Sequence, residues 1–200
     1  MEQGSKVKNK CRKVTRRVAF GVLLGTIGWS PAHSEEEPLK VSACEVRSNP
    51  GVYNHKLIEV SGIVSRGFED FTLNDRGCAA ENMIWLELGG TAGSEVIYCC
   101  GVPTDAKRPG ALTVEGFVTT LVENAEFKKF QKLTQRKRGY GRAVVRVIGR
   151  YFSGRKQTLP GGTFWMGYGH MGMATLLVVQ EVKEAGPVVA VKLRESSQDR

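Results

Sequence analysis

Apolar and polar residues alternate along the stretch from residue 57 to residue 88, and this alternation predicts three β-strands. In the first part, every second residue from Ile58 to Val64 is apolar or glycine, and most of the residues between them are polar. This period of two is typical of a half-buried strand. Arg66 and Gly67 then predict a tight turn, because glycine adopts positive φ without a Cβ clash.

The alternation continues into two further strands. Phe71 and Leu73 extend the apolar face, and residues 74–77 (NDRG) predict a second turn, because they are residues that turns favour. The third strand has apolar residues on one side and a mixed pair on the other: Ile84, Leu86 and Leu88 against Trp85 and Glu87. We therefore expect one meandering sheet over this stretch.

The sequence also predicts two helices and three further strands. Ser42 and Glu45 form a capping box that opens a short N-terminal helix. Asn124 is a suitable N-cap for a longer helix at about 125–137, whose apolar stripe recurs every three residues as Phe127, Phe130 and Leu133. The additional strands are expected at Leu112 to Leu121, Val144 to Phe152 and Ala174 to Val182.

A short repeat suggests how these strands are arranged. Three of them share the pattern apolar-x-Val-x-Gly, ending at Gly62, Gly116 and Gly149. Glycine inside a strand commonly marks a bulge or a barrel corner. The fold class is therefore predicted to be mainly β, a small OB-like barrel, closed or partly open, with one helix. It resembles the OB-fold, in which a helix plugs one end of the barrel. Because the Leu112 strand precedes the helix, the expected strand count differs from the simplest OB order.

The N-terminal region has the layout of a secretory signal peptide at 1–34. Seven basic residues precede an apolar run of twelve at 18–29, and small residues follow it. An uncleaved anchor is the alternative, but twelve helical residues span only about 18 Å of a core of about 30 Å. The chain beyond is predicted to be a flexible leader at 35–40, one domain at 41–190 and a disordered tail at 191–200.

Removing the leader changes the charge and the cysteine count. The chain has 29 basic and 20 acidic residues, and positions 35–200 keep 22 and 19 of them, so global charge gives little support for a nucleic-acid partner. Cys44, Cys78, Cys99 and Cys100 remain as disulfide candidates. Adjacent cysteines rarely bridge each other, which favours Cys44 and Cys78 each pairing with one of the other two. A Cys44–Cys78 bridge remains open, as does a metal or redox site.

Positive charge is concentrated in one part of the sequence. No acidic residue occurs between Phe127 and Gln180, where eleven are basic. The candidate ligand-binding residues are Lys128, Lys129, Lys132, Arg136, Lys137, Arg138, Arg142, Arg146 and Arg150, with Tyr140 and Tyr151 for stacking. This basic segment could dock an anionic envelope glycan, lipid headgroups or an acidic protein. A solvated helix face beside a blunted strand edge is the alternative.

Catalytic motifs are absent from the sequence: there is no G-x-S-x-G, HExxH or phosphate loop. His170 lies in a Gly-rich loop at 159–172 and could serve a metal-dependent or hydrolytic enzyme, with Glu69 and Asp70 as possible carboxylates. A loop that caps the barrel with its aromatic residues is the simpler interpretation. No catalytic residue, cofactor or metal ligand is assigned, and the favoured function is an exported, non-catalytic binding module. A purely structural assembly partner is a third possibility.

Several segments also resemble a group of uncharacterised secreted bacterial proteins with an OB-like β-barrel domain. They are CEVRSNPGVYNHKLIEVSGIVSRGFEDFTLND, WLEL and PGGTFWMGYGHMGMATLLVVQEV, within residues 41–185. The resemblance implies export to the periplasm or the exterior and a barrel fold, and it brings no activity with it.

Overall fold

The structure is a computed structural model that describes residues 36–78, 83–96, 102–135 and 141–188. The predicted signal peptide and C-terminal tail lie outside these ranges. The elements in chain order are β1 (Leu39–Ser42), α1 (Ala43–Ser48), β2 (Leu57–Arg66), β3 (Phe71–Asn74), β4 (Met83–Leu88), β5 (Thr113–Val114), β6 (Phe117–Val118), α2 (Ala125–Thr134), β7 (Gly141–Phe152), β8 (Arg155–Leu159), β9 (Gly162–Met166) and β10 (Ala174–Gly186). Short 3-10 turns occupy Pro50–Tyr53 and His170–Gly172.

Five strands close into a barrel, which confirms the predicted fold class. Their order is β2-β3-β4-β10-β7, and β7 returns to pair with β2. The β2–β7 pairing runs from Leu57 opposite Arg150 to Arg66 opposite Gly141. The other edge of β2 is shared, since β1 pairs with its first half and β3 with its second. Only β4 and β10 are parallel within the barrel.

Two of the three predicted glycine bends occur inside barrel strands. A Cβ atom on Gly62 would lie 2.7 Å from the carbonyl oxygen of Asn74, and one on Gly149 would lie 2.4 Å from that of Val178. Any larger residue would push neighbouring strands apart at these points. The absent side chains thus let β2 and β7 curve tightly enough for closure.

The third predicted bend belongs to a turn, which corrects the expected strand at 112–121. Glu115 has φ +48° and Gly116 has φ +87°, so the chain reverses between β5 and β6. Positive φ at both central residues is the geometry of a two-residue hairpin turn. Only three barrel strands therefore precede α2, and the departure from the simplest OB order that the sequence suggested is not found.

Both predicted helices form. Ser42 Oγ accepts a hydrogen bond from the Glu45 backbone N–H at 3.0 Å, and Asn124 Oδ1 accepts one from the Phe127 N–H at 2.8 Å. α2 buries Phe127 and Phe130 against the barrel. It ends at Thr134, three residues before the predicted end, because Gln135 is extended.

The segment expected to be a flexible leader is partly ordered. Residues 39 and 40 belong to β1, and the Glu36 carboxylate accepts a hydrogen bond from the Leu57 N–H at 3.2 Å. Glu36 also pairs with Arg150 at 2.6 Å. No helix in the described ranges is long and apolar enough to cross a bilayer.

One disulfide joins Cys44 to Cys78, with their Cα atoms 5.4 Å apart. The favoured pairing of each with Cys99 or Cys100 is therefore wrong, and those two cysteines lie outside the described residues. The reason is the shared edge of β2. Because β1 and β3 pair with the same edge of β2, they lie next to each other. Cys44 follows β1 in α1, and Cys78 follows β3 in the connection to β4, so the two cysteines are brought together.

Candidate functional site

Among the described residues of the predicted basic segment, only some are fully exposed at the surface. Lys128, Lys129 and Lys132 are exposed along α2, and Arg142 is exposed at the start of β7. Lys129 lies 3.5 Å from the Glu126 carboxylate, an exposed pair that contributes little. Four predicted members fall outside the described residues: Arg136, Lys137, Arg138 and Tyr140.

Arg146 and Arg150 share the outer face of β7, as predicted, but acidic residues from elsewhere neutralise both. Arg146 pairs with Glu59 at 2.8 Å and with Glu184 at 2.5 Å. Arg150 pairs with Glu36 at 2.6 Å, donates to a backbone carbonyl at 2.6 Å and lies over an aromatic ring. The sequence has no acidic residue near these arginines, yet the fold supplies three carboxylates.

Tyr151 is completely buried, so its predicted role in stacking on a surface ligand is wrong. Alternate residues of β7 face opposite sides, and Tyr151 faces the interior beside Phe152 at the end of the strand, where both faces are covered. Burial raises the pKa of Tyr151 to about 12, and the neighbouring Thr175 opposes the rise.

The Gly-rich segment expected to be a capping loop is largely a hairpin. β8 and β9 pair antiparallel, from Arg155 opposite Met166 to Leu159 opposite Gly162. Nine of its ten strand residues are exposed. The hairpin therefore stands away from the barrel instead of covering it.

This hairpin and the following turn expose a concentrated set of apolar side chains. Of the thirteen large hydrophobic residues exposed in the described ranges, six lie between positions 159 and 173. We call them the hairpin surface: Leu159, Phe164, Trp165, Met166, Met171 and Met173. Met171 and Met173 are 74% and 70% exposed. A concentration of exposed apolar side chains indicates an interaction site.

The charged residues of the hairpin itself are all basic. Arg155 and Lys156 stand at the base of β8, opposite Met166 and Trp165. His170 is exposed in the turn that follows β9. Because residues 127–180 contain no acidic residue, the hairpin itself adds no negative charge.

The indole of Trp165 is held in place by two glycines. A Cβ atom on Gly167 would lie 2.2 Å from the Trp165 ring, and one on Gly154 would lie 2.9 Å from it. Trp165 Nε1 donates to the Ser153 carbonyl at 3.2 Å. The ring is thus positioned while 42% of the residue remains exposed.

A cleft of about 430 Å³ opens between the base of this hairpin and the β5–β6 turn. Glu115, Arg155, Trp165, Tyr168 and Met171 are among the residues that line it. A volume in this range is typical of small-ligand sites.

Glu115 is the polar centre of the cleft. One carboxylate oxygen lies 2.6 Å from His55 Nε2, and the other accepts a hydrogen bond from the Tyr168 hydroxyl at 2.6 Å. Burial works to raise the pKa of Glu115, but these two bonds and the charges of His55 and Arg155 outweigh it, so the pKa is lowered. For Tyr168, burial and the bond to Glu115 both raise the pKa.

Unusual backbone geometry concentrates around the same cleft. Four non-glycine residues in the described ranges have positive φ, and three are His55, Glu115 and Met171. Such conformations cost about 1–3 kcal/mol each and cluster at functional sites. Glu115 occupies a turn position at which asparagine, aspartate or glycine is favoured.

Sequence reasoning missed most of this site. The sequence pattern assigns no role to His55, and it places Glu115 inside a strand. Glu115, rather than Glu69 or Asp70, is the carboxylate that reaches the loop containing His170, through Tyr168. Glu115-Gly116, a polar residue followed by glycine within an apolar stretch, is the sequence signal that could have predicted this hairpin turn.

In the described part of the chain, no group of three or more His, Cys, Asp or Glu residues is arranged to hold a metal ion. The chain matches no protein-family model, and comparisons with curated proteins and with solved structures found no match.

Proposed function

We propose that this protein is an exported, non-catalytic module that associates with anionic phospholipid membranes through the hairpin surface. The observation that carries the proposal is the combination of six exposed apolar side chains with the neighbouring cations Arg155 and Lys156. Apolar groups flanked by cations suit an interface in which hydrocarbon lies beneath negatively charged headgroups.

The order of side chains along the hairpin supports this orientation. Arg155 and Lys156 lie at the base, whereas Leu159 adjoins the Pro160-Gly161 turn at the tip. With the tip inserted, the two cations would remain at headgroup level. Trp165 lies near the base, and amphipathic indole rings favour that interfacial depth.

The expected affinity is moderate and reversible. Covering the exposed part of each of the six apolar side chains should contribute about 1 kcal/mol. Each cation close to an anionic leaflet adds about 1 kcal/mol. Allowing for incomplete insertion, a total of about 7 kcal/mol corresponds to a dissociation constant on the order of 10 µM.

Vesicle co-sedimentation tests the proposal. The protein without residues 1–34 is mixed with phosphatidylcholine vesicles that contain or lack phosphatidylglycerol. The double variant Leu159→Ser, Phe164→Ser should bind anionic vesicles about 10-fold or more weakly, because two side chains lose roughly 1 kcal/mol each. Phe68→Ser is the matched control, since Phe68 is 66% exposed on the β2–β3 connection.

Two results would overturn membrane docking. The first is equal vesicle binding by the wild type, the double variant and the control. The second is a dimer in light scattering that the double variant, but not Phe68→Ser, converts to monomer, because the hairpin surface would then be a contact between copies of this chain. Retention on purified envelope glycan that survives detergent would favour an anionic polymer instead.

A further inference from the structure

We infer that the cleft beside Glu115 and Arg155 binds a zwitterionic headgroup of the phosphoethanolamine type, with the phosphate on Arg155 and the primary ammonium on Glu115. This inference rests on the proposed membrane association and adds headgroup selectivity to it. It is carried by the cleft's shape, its two opposite charges and its position within the hairpin surface.

The cleft opens where a membrane would lie. Trp165, Met166 and Met171 line it and also belong to the hairpin surface. A lipid whose acyl chains meet the hairpin would therefore place its headgroup at the mouth of the cleft. The volume of about 430 Å³ leaves room for a phosphoethanolamine group and ordered water.

Arg155 is the anion-binding group of the cleft. It is exposed, and it forms no ion pair with any residue that the structure describes. This separates Arg155 from Arg146 and Arg150, whose guanidinium groups are already bound to carboxylates. A guanidinium presents paired N–H donors that match phosphate oxygens.

Glu115 provides the opposite charge. Among the residues that the structure describes, each of its oxygens has one hydrogen-bonding partner, His55 for one and Tyr168 for the other. A carboxylate oxygen has two lone pairs, so each can accept a further hydrogen bond from an ammonium group. The exposed indole of Trp165 lines the same cleft, where an aromatic ring can contribute a cation–π contact with the ammonium group.

The carboxylate is fixed before any ligand arrives. The Glu115 backbone is held at φ +48° by the tight turn, and His55 and Tyr168 bind its side chain from two directions. His55 is itself held by contact with the Phe117 ring, whose centroid lies 4.9 Å away at an interplanar angle of 38°. A headgroup that lacks an amine would leave Glu115 without a new partner and would gain only the contact with Arg155.

Vesicles of equal surface charge separate headgroup recognition from general attraction. Phosphatidylglycerol is kept at a constant fraction, and the remaining lipid is either phosphatidylethanolamine or phosphatidylcholine, whose choline group has no N–H to donate. The wild type should bind the ethanolamine vesicles at least fivefold more tightly. Glu115→Gln should lose this preference, whereas Glu123→Gln, at an exposed position before α2, should keep it.

A titration with soluble ligand tests the cleft without a membrane. Glycerophosphoethanolamine should perturb Trp165 fluorescence in a saturable manner, and glycerol phosphate should bind at least fivefold more weakly. Arg155→Gln should also weaken glycerophosphoethanolamine binding at least fivefold. Because Arg155 is exposed, this second variant tests the cleft even if Glu115→Gln fails to fold.

The outcomes distinguish the two proposals. Vesicle binding without any ethanolamine preference, together with no saturable soluble binding, would overturn the cleft inference and leave membrane association intact. Absence of vesicle binding would overturn membrane association, and saturable soluble binding that Arg155→Gln weakens would still support the cleft. Equal affinity for glycerol phosphate would show phosphate recognition only, which also overturns the inference.

Discussion

Removing Arg108 should strongly destabilise the barrel, because it leaves a buried carboxylate without its cationic partner. Glu87 is completely buried in β4, and its Oε1 lies 2.8 Å from Arg108 Nη2. Ser94 Oγ donates to the other oxygen of Glu87 at 2.8 Å. Arg108 also donates to the carbonyls of Leu88, Ala92 and Pro103, so one guanidinium fixes the loop that follows β4.

The expected cost of Arg108→Met follows from this burial. Breaking a buried ion pair by removing one partner costs about 3–5 kcal/mol, because the other charge remains buried and uncompensated. For a domain of this size, about 2–4 °C of melting temperature is lost per kcal/mol, so the midpoint should fall by at least about 6 °C. The double variant Glu87→Gln, Arg108→Met should recover a large part of the loss, because no buried charge is left.

The loss should also depend on pH, with a sign that the structure determines. Burial raises the pKa of Glu87, while its hydrogen bonds with Leu88 and Ser94 and the charge of Arg108 oppose the rise. Since the folded pKa lies above the unfolded one, the folded state binds more protons, and stability falls as the pH rises through this interval. Without Arg108 the pKa rises further, so the variant should lose least in acid and most above neutrality.

Guanidinium unfolding followed by circular dichroism, at about pH 5 and pH 8, measures both effects. The wild type, the two single variants and the double variant form a complete cycle, and Arg142→Met serves as the exposed control. A loss below about 1 kcal/mol at neutral pH would refute the reasoning about burial. A loss that is the same at both pH values would refute the assignment of the charge to Glu87.

Three further expectations follow from particular contacts. The Cys44–Cys78 disulfide spans 34 positions, so replacing both cysteines with alanine should lower the free energy of unfolding by about 4 kcal/mol, and an unchanged denaturation midpoint would contradict it. Gly167→Ala should displace Trp165 and shift its fluorescence emission to longer wavelength, because a Cβ atom would lie 2.2 Å from the ring. An unaltered spectrum would contradict the close contact between residue 167 and the ring. Tyr151 should form phenolate only near pH 12 in an absorbance titration. Because this raised pKa exceeds the unfolded value of about 10, stability should fall as the pH rises between the two values, and ordinary titration would contradict the burial.

The barrel was predictable from sequence because its strands carry local signals. Alternation from Ile58 to Val64 reflects a strand with one face toward the core, and that face is indeed buried at Ile58, Val60 and Val64. Gly62 and Gly149 correctly indicated bends. At each position a neighbouring strand approaches so closely that a Cβ atom would not fit. The helix caps at Ser42 and Asn124 are equally local, because each cap is three residues from its partner.

The disulfide and the ion pairs were not predictable, since they join distant positions. Arg146 and Glu59 are 87 residues apart, and Arg150 and Glu36 are 114 apart. A sequence window showed only an uninterrupted run of positive charge there. The pairing of Cys44 with Cys78 likewise depends on β1 and β3 meeting on one edge of β2, which no local pattern reveals.

The candidate site was not predicted for a different reason. Its residues adopt backbone conformations that their residue types seldom adopt. Glutamate at the tip of a two-residue turn, as at Glu115, contradicts the usual preference for asparagine or glycine. The alternating pattern around it predicts an uninterrupted strand. Local rules fail at such places because tertiary contacts, here with His55 and Tyr168, override them.

The loop held by Arg108 covers part of the barrel's outer face, and this favours the hairpin surface as the proposed binding surface. OB-like barrels commonly bind ligands on the outer face of their second and third strands, which here are β3 and β4. In this chain that face is occupied, since Trp85 lies against the Gly169 turn and Glu87 lies beneath Ser94 and Arg108. A ligand could reach it only by displacing the buried ion pair. The loop between β7 and β10, which OB-like barrels also use, remains open and exposes the hairpin surface, so recognition is expected there.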